Sequence, residues 1–373
     1  MLALQLLALL ALPACIDLTT PSDGTQPRDS GKDTADTDSA GEDTDTGSDT
    51  GSDTDTTDTD TDGDTGTDTG AGGVDSEDSG GPDSGGEDSA GEDTAGTDPA
   101  EVAWSCDAWG EPVSVGTVSD GGLAEISDIV PSRLNAGVLW VLEDSGGEPE
   151  VYALDTTGAT IGTLRVDGVS NHDWEDLAIA PCPTSAGDCI WIGDTGDNGL
   201  SRDDVTILVV PEPTVSGTFA TTVTPISLPF RFPSSDGRGN VEGVAVADDG
   251  LPVLVTKRVD GTADVYRFPS VDPSTTVTLD HVARITTGDA SDEHPAEATS
   301  ADLLPDGSRL LVRTYDYLLE YPLVAGVPGS STSLPSPDEP QGESAAYDVN
   351  LGGVWVTSEG TYEPLWFVPC STS

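Results

Sequence analysis

One short plan recurs five times between residues 125 and 369, and a chain that repeats itself at this period has few folds open to it. Each unit opens on a glutamate followed by small or apolar residues and then passes a turn. A β-branched or aromatic stretch follows, then a polar turn, then a second apolar stretch that mostly ends near a proline. The openings are Glu125-Ile126, Glu175-Asp176, Glu242-Gly243, Glu297-Ala298 and Glu343-Ser344. The central stretches contain Leu139-Trp140-Val141-Leu142, Ile190-Trp191-Ile192, Val253-Leu254-Val255, Leu310-Leu311-Val312 and Val354-Trp355-Val356. Short apolar runs between turn signals, with no helical periodicity, predict strands.

Successive glutamates stand 46 to 67 residues apart, the length of a four-stranded propeller blade with its connections. Residues 161–166, 222–232 and 276–285 are placed to be the fourth strands of the first three units. The fifth unit runs out of chain at Ser373, so residues 111–118 are expected to supply its outer strand and close the ring. The expected fold is an all-β, five-bladed β-propeller closed by an N-terminal strand. Six blades is the alternative if one repeat has diverged.

The cysteines agree with that closure. Cys182 and Cys189 bracket a short loop inside one hairpin, while Cys106 and Cys370 lie at opposite ends of the repeat region. Ring closure would bring the second pair together, so Cys106–Cys370 and Cys182–Cys189 disulfides are expected in an exported protein. A zinc site is disfavoured, because no paired C-x-x-C knuckles occur.

Cys15 is the fifth cysteine. Residues 1–14 form an apolar run too short to span a bilayer but suited to a signal-peptide core. The run ends Leu12-Pro13-Ala14-Cys15, which resembles the bacterial lipobox and implies lipidation of Cys15. Pro13 and the lack of a preceding Lys or Arg depart from that pattern, and an ordinary secretory signal is the alternative. Residues 15–100 are built almost wholly of Asp, Thr, Ser and Gly, a composition that cannot offset its ordering entropy. A disordered acidic linker is expected there, with a reach of roughly 50 Å before charge repulsion extends it. Asp58, Asp60, Asp62 and Gly63 imitate the start of an EF-hand loop, but Thr69 stands where a bidentate Glu is required. Residues 101–373 are the expected folded domain.

The chain carries 69 acidic and 13 basic residues, a net charge of -56. With the 26 acids and two bases of the linker removed, 43 acids still face 11 bases. Such a field excludes nucleic acid as a partner and attracts divalent cations. A monomer is expected, with the membrane reached through the anchor and a protein or small molecule as ligand.

Several stretches resemble an exported bacterial propeller family related to phytase-like and gluconolactonase-like proteins. They are Leu139-Trp140 with Glu143-Asp144-Ser145-Gly146, Asp173-Trp174-Glu175-Asp176, Gly193-Asp194-Thr195-Gly196-Asp197-Asn198, Glu242-Gly243 and Gln341-Gly342-Glu343. The resemblance covers about residues 124–369 and implies a propeller, a bound calcium ion in many members and hydrolysis in some. It transfers fold better than activity.

If the repeat is exact, Glu125, Glu175, Glu242, Glu297 and Glu343 gather round the central channel near one mouth. There they would share a cation, hold protons at raised pKa, or cap backbone amides between blades. Oxygen ligands alone suit Ca2+. Asp194, Asp197 and Asn198, with Asp173 and Asp176 upstream, form a second candidate cation loop, or else a Gly-Asp turn. No nucleophile elbow is present, since Gly342-Glu343-Ser344-Ala345-Ala346 lacks the final glycine. His172, Asp173 and Glu175 are the candidate acid-base residues. Lys257, Arg258 and Arg313 follow central strands toward one rim, where pairing with the abundant acids is expected and binding of an anionic substrate is the alternative. Two functions stay open: a cation-stabilised, non-catalytic binding or scaffold module on the cell surface, and a calcium-dependent hydrolase of phosphoesters, lactones or glycosides.

Overall fold

A computed structural model of the chain describes residues 106–289 and 296–371. The expected leader, Cys15, the expected acidic linker and His294 lie outside the described residues. Strands are numbered in chain order, beginning with β1 (Ala108–Trp109) and β2 (Val113–Thr117).

Five antiparallel sheets follow, one for each repeat. Blade 1 holds β3 (Ile126–Pro131), β4 (Val138–Glu143), β5 (Glu150–Asp155) and β6 (Thr160–Val166). Blade 2 holds β7 (Trp174–Pro181), β8 (Asp188–Asp194), β9 (Thr206–Pro211) and β11 (Ile226–Arg231). Blade 3 holds β12 (Val241–Val246), β13 (Pro252–Thr256), β14 (Thr262–Arg267) and β16 (Asp280–Thr286). Blade 4 holds β17 (Ala298–Leu303), β18 (Arg309–Thr314), β19 (Leu318–Val324) and β21 (Thr332–Leu334), with the short β20 (Val327–Pro328) on the end of β19. Blade 5 holds β22 (Gly342–Tyr347), β23 (Gly353–Ser358) and β24 (Pro364–Ser371). The fold is a five-bladed β-propeller, and the six-bladed alternative is not what forms.

β2 completes blade 5 by pairing antiparallel with β24, Val113 opposite Phe367. Beside it β1 sets Trp109 opposite Cys370, and the Cys106–Cys370 disulfide fixes the ring closure with its Cα atoms 5.5 Å apart. The Cys182–Cys189 disulfide spans the turn between β7 and β8. These two bridges mark a domain that folds in an oxidising, extracytoplasmic compartment. Among the described residues no helix is long and apolar enough to cross a membrane.

Two further strands have no counterpart in the repeat. β10 (Phe219–Val223) leaves blade 2 to pair parallel with β6 of blade 1, and β15 (Val277–Thr278) leaves blade 3 to pair parallel with β11 of blade 2. Each covers an outer edge that would otherwise present unpaired amides.

The apolar runs are continuous because each blade is sandwiched between two others. In β4, Val138, Trp140 and Leu142 face blade 2, while Leu139 and Val141 face the cluster shared with blade 5. Similar apolar clusters join blades 2 and 3, blades 3 and 4, and blades 4 and 5.

Charged groups tie the inner strands together at the axis. Asp176 on β7 accepts hydrogen bonds from the amides of Val244 on β12 and Ala301 on β17. Asp128 on β3 accepts from the Leu177 amide of β7 at 3.0 Å and from the Ser300 hydroxyl of β17 at 3.1 Å. Ser300 Oγ in turn accepts the Ala345 amide of β22 at 3.4 Å. The Asp128 charge also opposes ionisation of Asp176. Burial pushes Asp128 up to about 7 and, with the neighbouring Asp128 charge, lifts Asp176 well above the carboxylate range.

This pair binds protons more tightly in the folded state than in the unfolded chain. Its contribution is therefore present below about pH 4 and lost as pH rises through about 7. Asp176→Ala would orphan two buried amides, and denaturant unfolding is expected to show a loss on the order of 2–5 kcal/mol. Asp176→Asn keeps an acceptor and a donor, so it should retain most of the stability and flatten its fall between pH 4 and 7.

Candidate metal centre at the channel mouth

Every inner strand carries a β-bulge where it meets its neighbour. The register slips between Ile126 and Asp128, Trp174 and Asp176, Val241 and Gly243, Ala298 and Ser300, and Gly342 and Ser344. The extra residue at these bulges is Ser127, Glu175, Glu242, Thr299 and Glu343. A bulge re-aims its side chain, here toward one mouth of the channel. The five repeat glutamates are therefore not equivalent. Glu175, Glu242 and Glu343 occupy the bulge, whereas Glu125 and Glu297 stand two residues before it, aligned with Asp173, Asn240 and Gln341. Glu125 is exposed and Glu297 is half-buried.

A third position completes the mouth. The residue that follows each second strand is Asp144, Thr195, Lys257, Tyr315 or Glu359. In four blades its amide or its strand end is held by the residue before the bulge or by the adjoining turn: the amides of Asp144, Thr195, Lys257 and Glu359 donate to the carbonyls of Glu125, Asp173, Asn240 and Gln341. A cavity of about 340 Å³ opens between these positions, lined by four of the five repeat glutamates, Glu175, Glu242, Glu297 and Glu343, with Asp144, Glu359 and Lys257 among others. Asp144, Tyr315 and Glu359 were not assigned to a site from sequence. Their signal is the residue just past each central strand, which is legible only once the bulges fix the register.

The three bulge glutamates differ in their partners. Glu242 accepts from Lys257 Nζ at 3.1 Å and from Asn240 Nδ2 at 2.6 Å. Glu343 accepts from Gln341 Nε2 at 2.8 Å, and the same amide reaches Glu359 at 2.6 Å. Glu175 is 4 % exposed and has no hydrogen-bond partner among the described residues. Instead, Glu175, Asp144 and Asp173 each direct a carboxylate oxygen to a common place, with the three atoms within 4.8 Å of one another.

The electrostatics follow from that crowding. Burial raises Glu175 well above the carboxylate range, and the charges of Glu242, Asp144 and Asp173 add to it. Burial likewise raises Asp144 and Asp173. Glu343 is raised well above its ordinary value by burial, and Glu359 is pushed up to about 6. Burial works against the Lys257 charge, yet Glu242 and Tyr315 outweigh it and raise the ammonium. Lys257 also lies 5.1 Å from the centre of the Tyr315 ring. Three oxygen donors with no cation partner of their own match the hard-cation chemistry of calcium.

The loop over residues 193–198 contributes differently from its composition. The Asp194 carboxylate is taken by Arg202 at 2.7 Å. Asp197 accepts the amides of Ser201 and Arg202 at 2.7 and 2.9 Å, which makes it a turn-forming residue. Asn198 alone of the three lines the cavity, where its Oδ1 accepts from Asn240. Gly196 lies against the acidic trio: a Cβ there would sit 2.1 Å from Glu175 Oε1 and 2.4 Å from Asp173 Oδ2. His172 is exposed, lies 3.4 Å from Asp204 and does not line the cavity. Arg258 pairs with Asp260 and Asp264, and fully buried Arg313 pairs with Glu339 at 2.7 Å.

No family model matches the chain, and no curated protein matches it. Solved structures do. A PQQ-bound aldose sugar dehydrogenase from Streptomyces coelicolor aligns at 15% identity and a TM-score of 0.43, covering 72% of this chain and all of that one. A gluconolactonase from Xanthomonas campestris aligns at 13% identity and a TM-score of 0.38, covering 63% of this chain and 69% of that one. The chain is similar to propellers of this kind, and its own sheet topology establishes the fold.

Gly196→Ala tests the trio. The added methyl must displace Glu175 and Asp173, so a calcium-induced rise in melting temperature should disappear while the circular dichroism spectrum is kept. A retained rise would detach the cation from these residues. Protons compete for the same raised carboxylates, so the calcium effect in the unaltered protein should shrink between pH 8 and pH 5.

Proposed function

We propose that the chain is an exported, membrane-tethered binding propeller whose channel mouth holds a calcium-type cation and, through it, an oxygen-rich ligand. One observation carries this reading: buried Glu175 converges with Asp144 and Asp173, with three carboxylate oxygens within 4.8 Å of one another. A buried carboxylate left in that state is costly, and a cation or a proton removes the cost. Asp144, Asp173 and Glu175 would hold the cation, and the remaining volume of about 340 Å³ would admit a ligand that completes its coordination. Glu242, held by Lys257 and Asn240, and Glu343, held by Gln341, would position hydrogen-bond donors round that ligand.

The tether rests on the sequence. Cys15 in its lipobox-like setting would carry the lipid, and the acidic linker would hold the propeller away from the membrane surface. Calcium drawn to the linker would raise the local supply to the channel.

Hydrolysis is the second reading, favoured by the raised Glu175 carboxyl beside the Lys257–Tyr315 contact. A divalent cation supplies charge stabilisation and a water of lowered pKa in such chemistry. In that reading Asp144 and Asp173 would hold the cation, Glu175 would carry the proton instead of ligating, and Lys257 would offer its Nζ to developing negative charge.

Calcium titration of the full chain by thermal shift, repeated for Glu175→Gln, tests the primary reading. A rise lost in the variant, with no turnover of phosphoester, lactone or glycoside panels, is the expected result. Calcium-dependent turnover abolished by Glu175→Gln would replace the binding reading with the hydrolytic one. No calcium-dependent shift would remove the cation from both.

A further inference from the structure

Blade 3 carries a second cavity, of about 350 Å³, that shares the Lys257 wall with the channel mouth. Its lining reverses the charge of the domain around it. Four of the domain's eleven Lys and Arg residues, Arg238, Lys257, Arg258 and Arg284, line it together with His281. Only Asp236 and Asp264 oppose them in the lining.

The cationic wall is built, and does not arise from chance surface pairing. His281 and Arg284 are three apart on β16, a spacing that sends side chains to opposite faces of a regular strand. Here the register slips: Tyr266 pairs with His281 and Val265 with Ala283, leaving Val282 as the extra residue. That bulge returns His281 and Arg284 to the same side, where both reach one carboxylate. Asp264, with a side chain 8% exposed, accepts from Arg284 Nε and Nη2 at 2.7 and 2.8 Å. It also meets His281 Nε2 at 3.1 Å and accepts from Arg258 Nη1 at 3.4 Å. One anion thus orients Arg258, Arg284 and His281, and its single charge cannot neutralise both guanidinium groups.

The other partners of these cations divide: Glu242, bound to Lys257, is buried, while those of Arg238 and Arg258 face water. Asp203, bound to Arg238, is 88% exposed, and Asp260, bound to Arg258, is 47% exposed. Ion pairs of that kind are screened and contribute little. Within the wall, Arg258 and Arg284 outnumber the one buried carboxylate, Asp264, that they share.

We propose that this cavity is an oxyanion subsite, which takes the carboxylate, sulfate or phosphate group of a small ligand on the Arg258–Arg284 wall. Guanidinium forks suit such planar or tetrahedral oxyanions, and Asp264 pre-orients them. Because Lys257 lines both cavities, the subsite also assigns a class to the channel ligand, which is an acidic one. That second step rests on the proposed binding function, whereas the subsite stands on blade 3 alone.

Calorimetric titration of the full chain with sulfate, glucuronate and glucose, with and without calcium, separates the two steps. Sulfate and glucuronate should bind without calcium, and glucose should not. Arg284→Gln, at a half-exposed position that the fold tolerates, should weaken sulfate at least tenfold, and Arg258→Gln/Arg284→Gln should abolish it. Both variants should keep the calcium-induced thermal shift. Equal binding of glucose, or sulfate affinity unchanged in the folded Arg284→Gln protein, would overturn the subsite. Sulfate binding as expected, with glucuronate no tighter in calcium than without it, would overturn the acidic channel ligand and leave the subsite standing.

Discussion

The hydrogen bonds that Asp128 and Asp176 accept from neighbouring inner strands hold the centre of this molecule. A propeller packs its blades through apolar faces, but its innermost strands converge on an axis too narrow for large side chains. Here two carboxyl groups fill that axis and collect amides and a hydroxyl from the neighbouring inner strands. Ser300 extends the network to the fifth blade through the Ala345 amide. Every inner strand is thus fixed in height against the others, which sets where each bulge falls. An apolar axis would fill the same space without specifying that height.

The channel mouth inherits its geometry from those heights. Bulges one residue before the axial positions turn Glu175, Glu242 and Glu343 upward, and the residues after the second strands meet them from the sides. Two of the three glutamates are answered by Lys257, Asn240 and Gln341, and the third is not. A fold selected only for stability would answer all three or replace the third by an apolar residue. The acidic trio of Asp144, Asp173 and Glu175 is therefore where the fold gives up stability, and functional sites are expected to lie where local rules are broken. Blade 3 breaks a different rule, with a bulge on its outer strand that gathers cations in an acidic domain.

Much of this architecture was legible in the sequence. The blade count, the closing strand and both disulfides followed from the repeat and the cysteine positions, because apolar strands between turns and covalent closure are local or nearly local signals. The equivalence of the glutamates was not legible. Glu125 and Glu297 lie two residues from the true bulge positions, which are held by Ser127 and Thr299, and a shift of two keeps the same strand face. Alignment on residue type alone cannot detect it. The axial role of Asp128 and Asp176 was equally hidden: Asp176 reads as an upstream member of the candidate cation loop, and only the placed amides of Val244 and Ala301 show it turned to the axis. The parallel strands β10 and β15 were missed for a related reason: each pairs with a different blade from the one that precedes it in the chain.

The account turns on whether the unanswered carboxylates at the mouth take a cation. Crystals soaked in manganese and measured at its absorption edge answer this directly. The account predicts one strong anomalous peak bounded by Asp144, Asp173 and Glu175. Well-ordered carboxylates at that place with no peak between them, or with peaks only on surface turns, would contradict it.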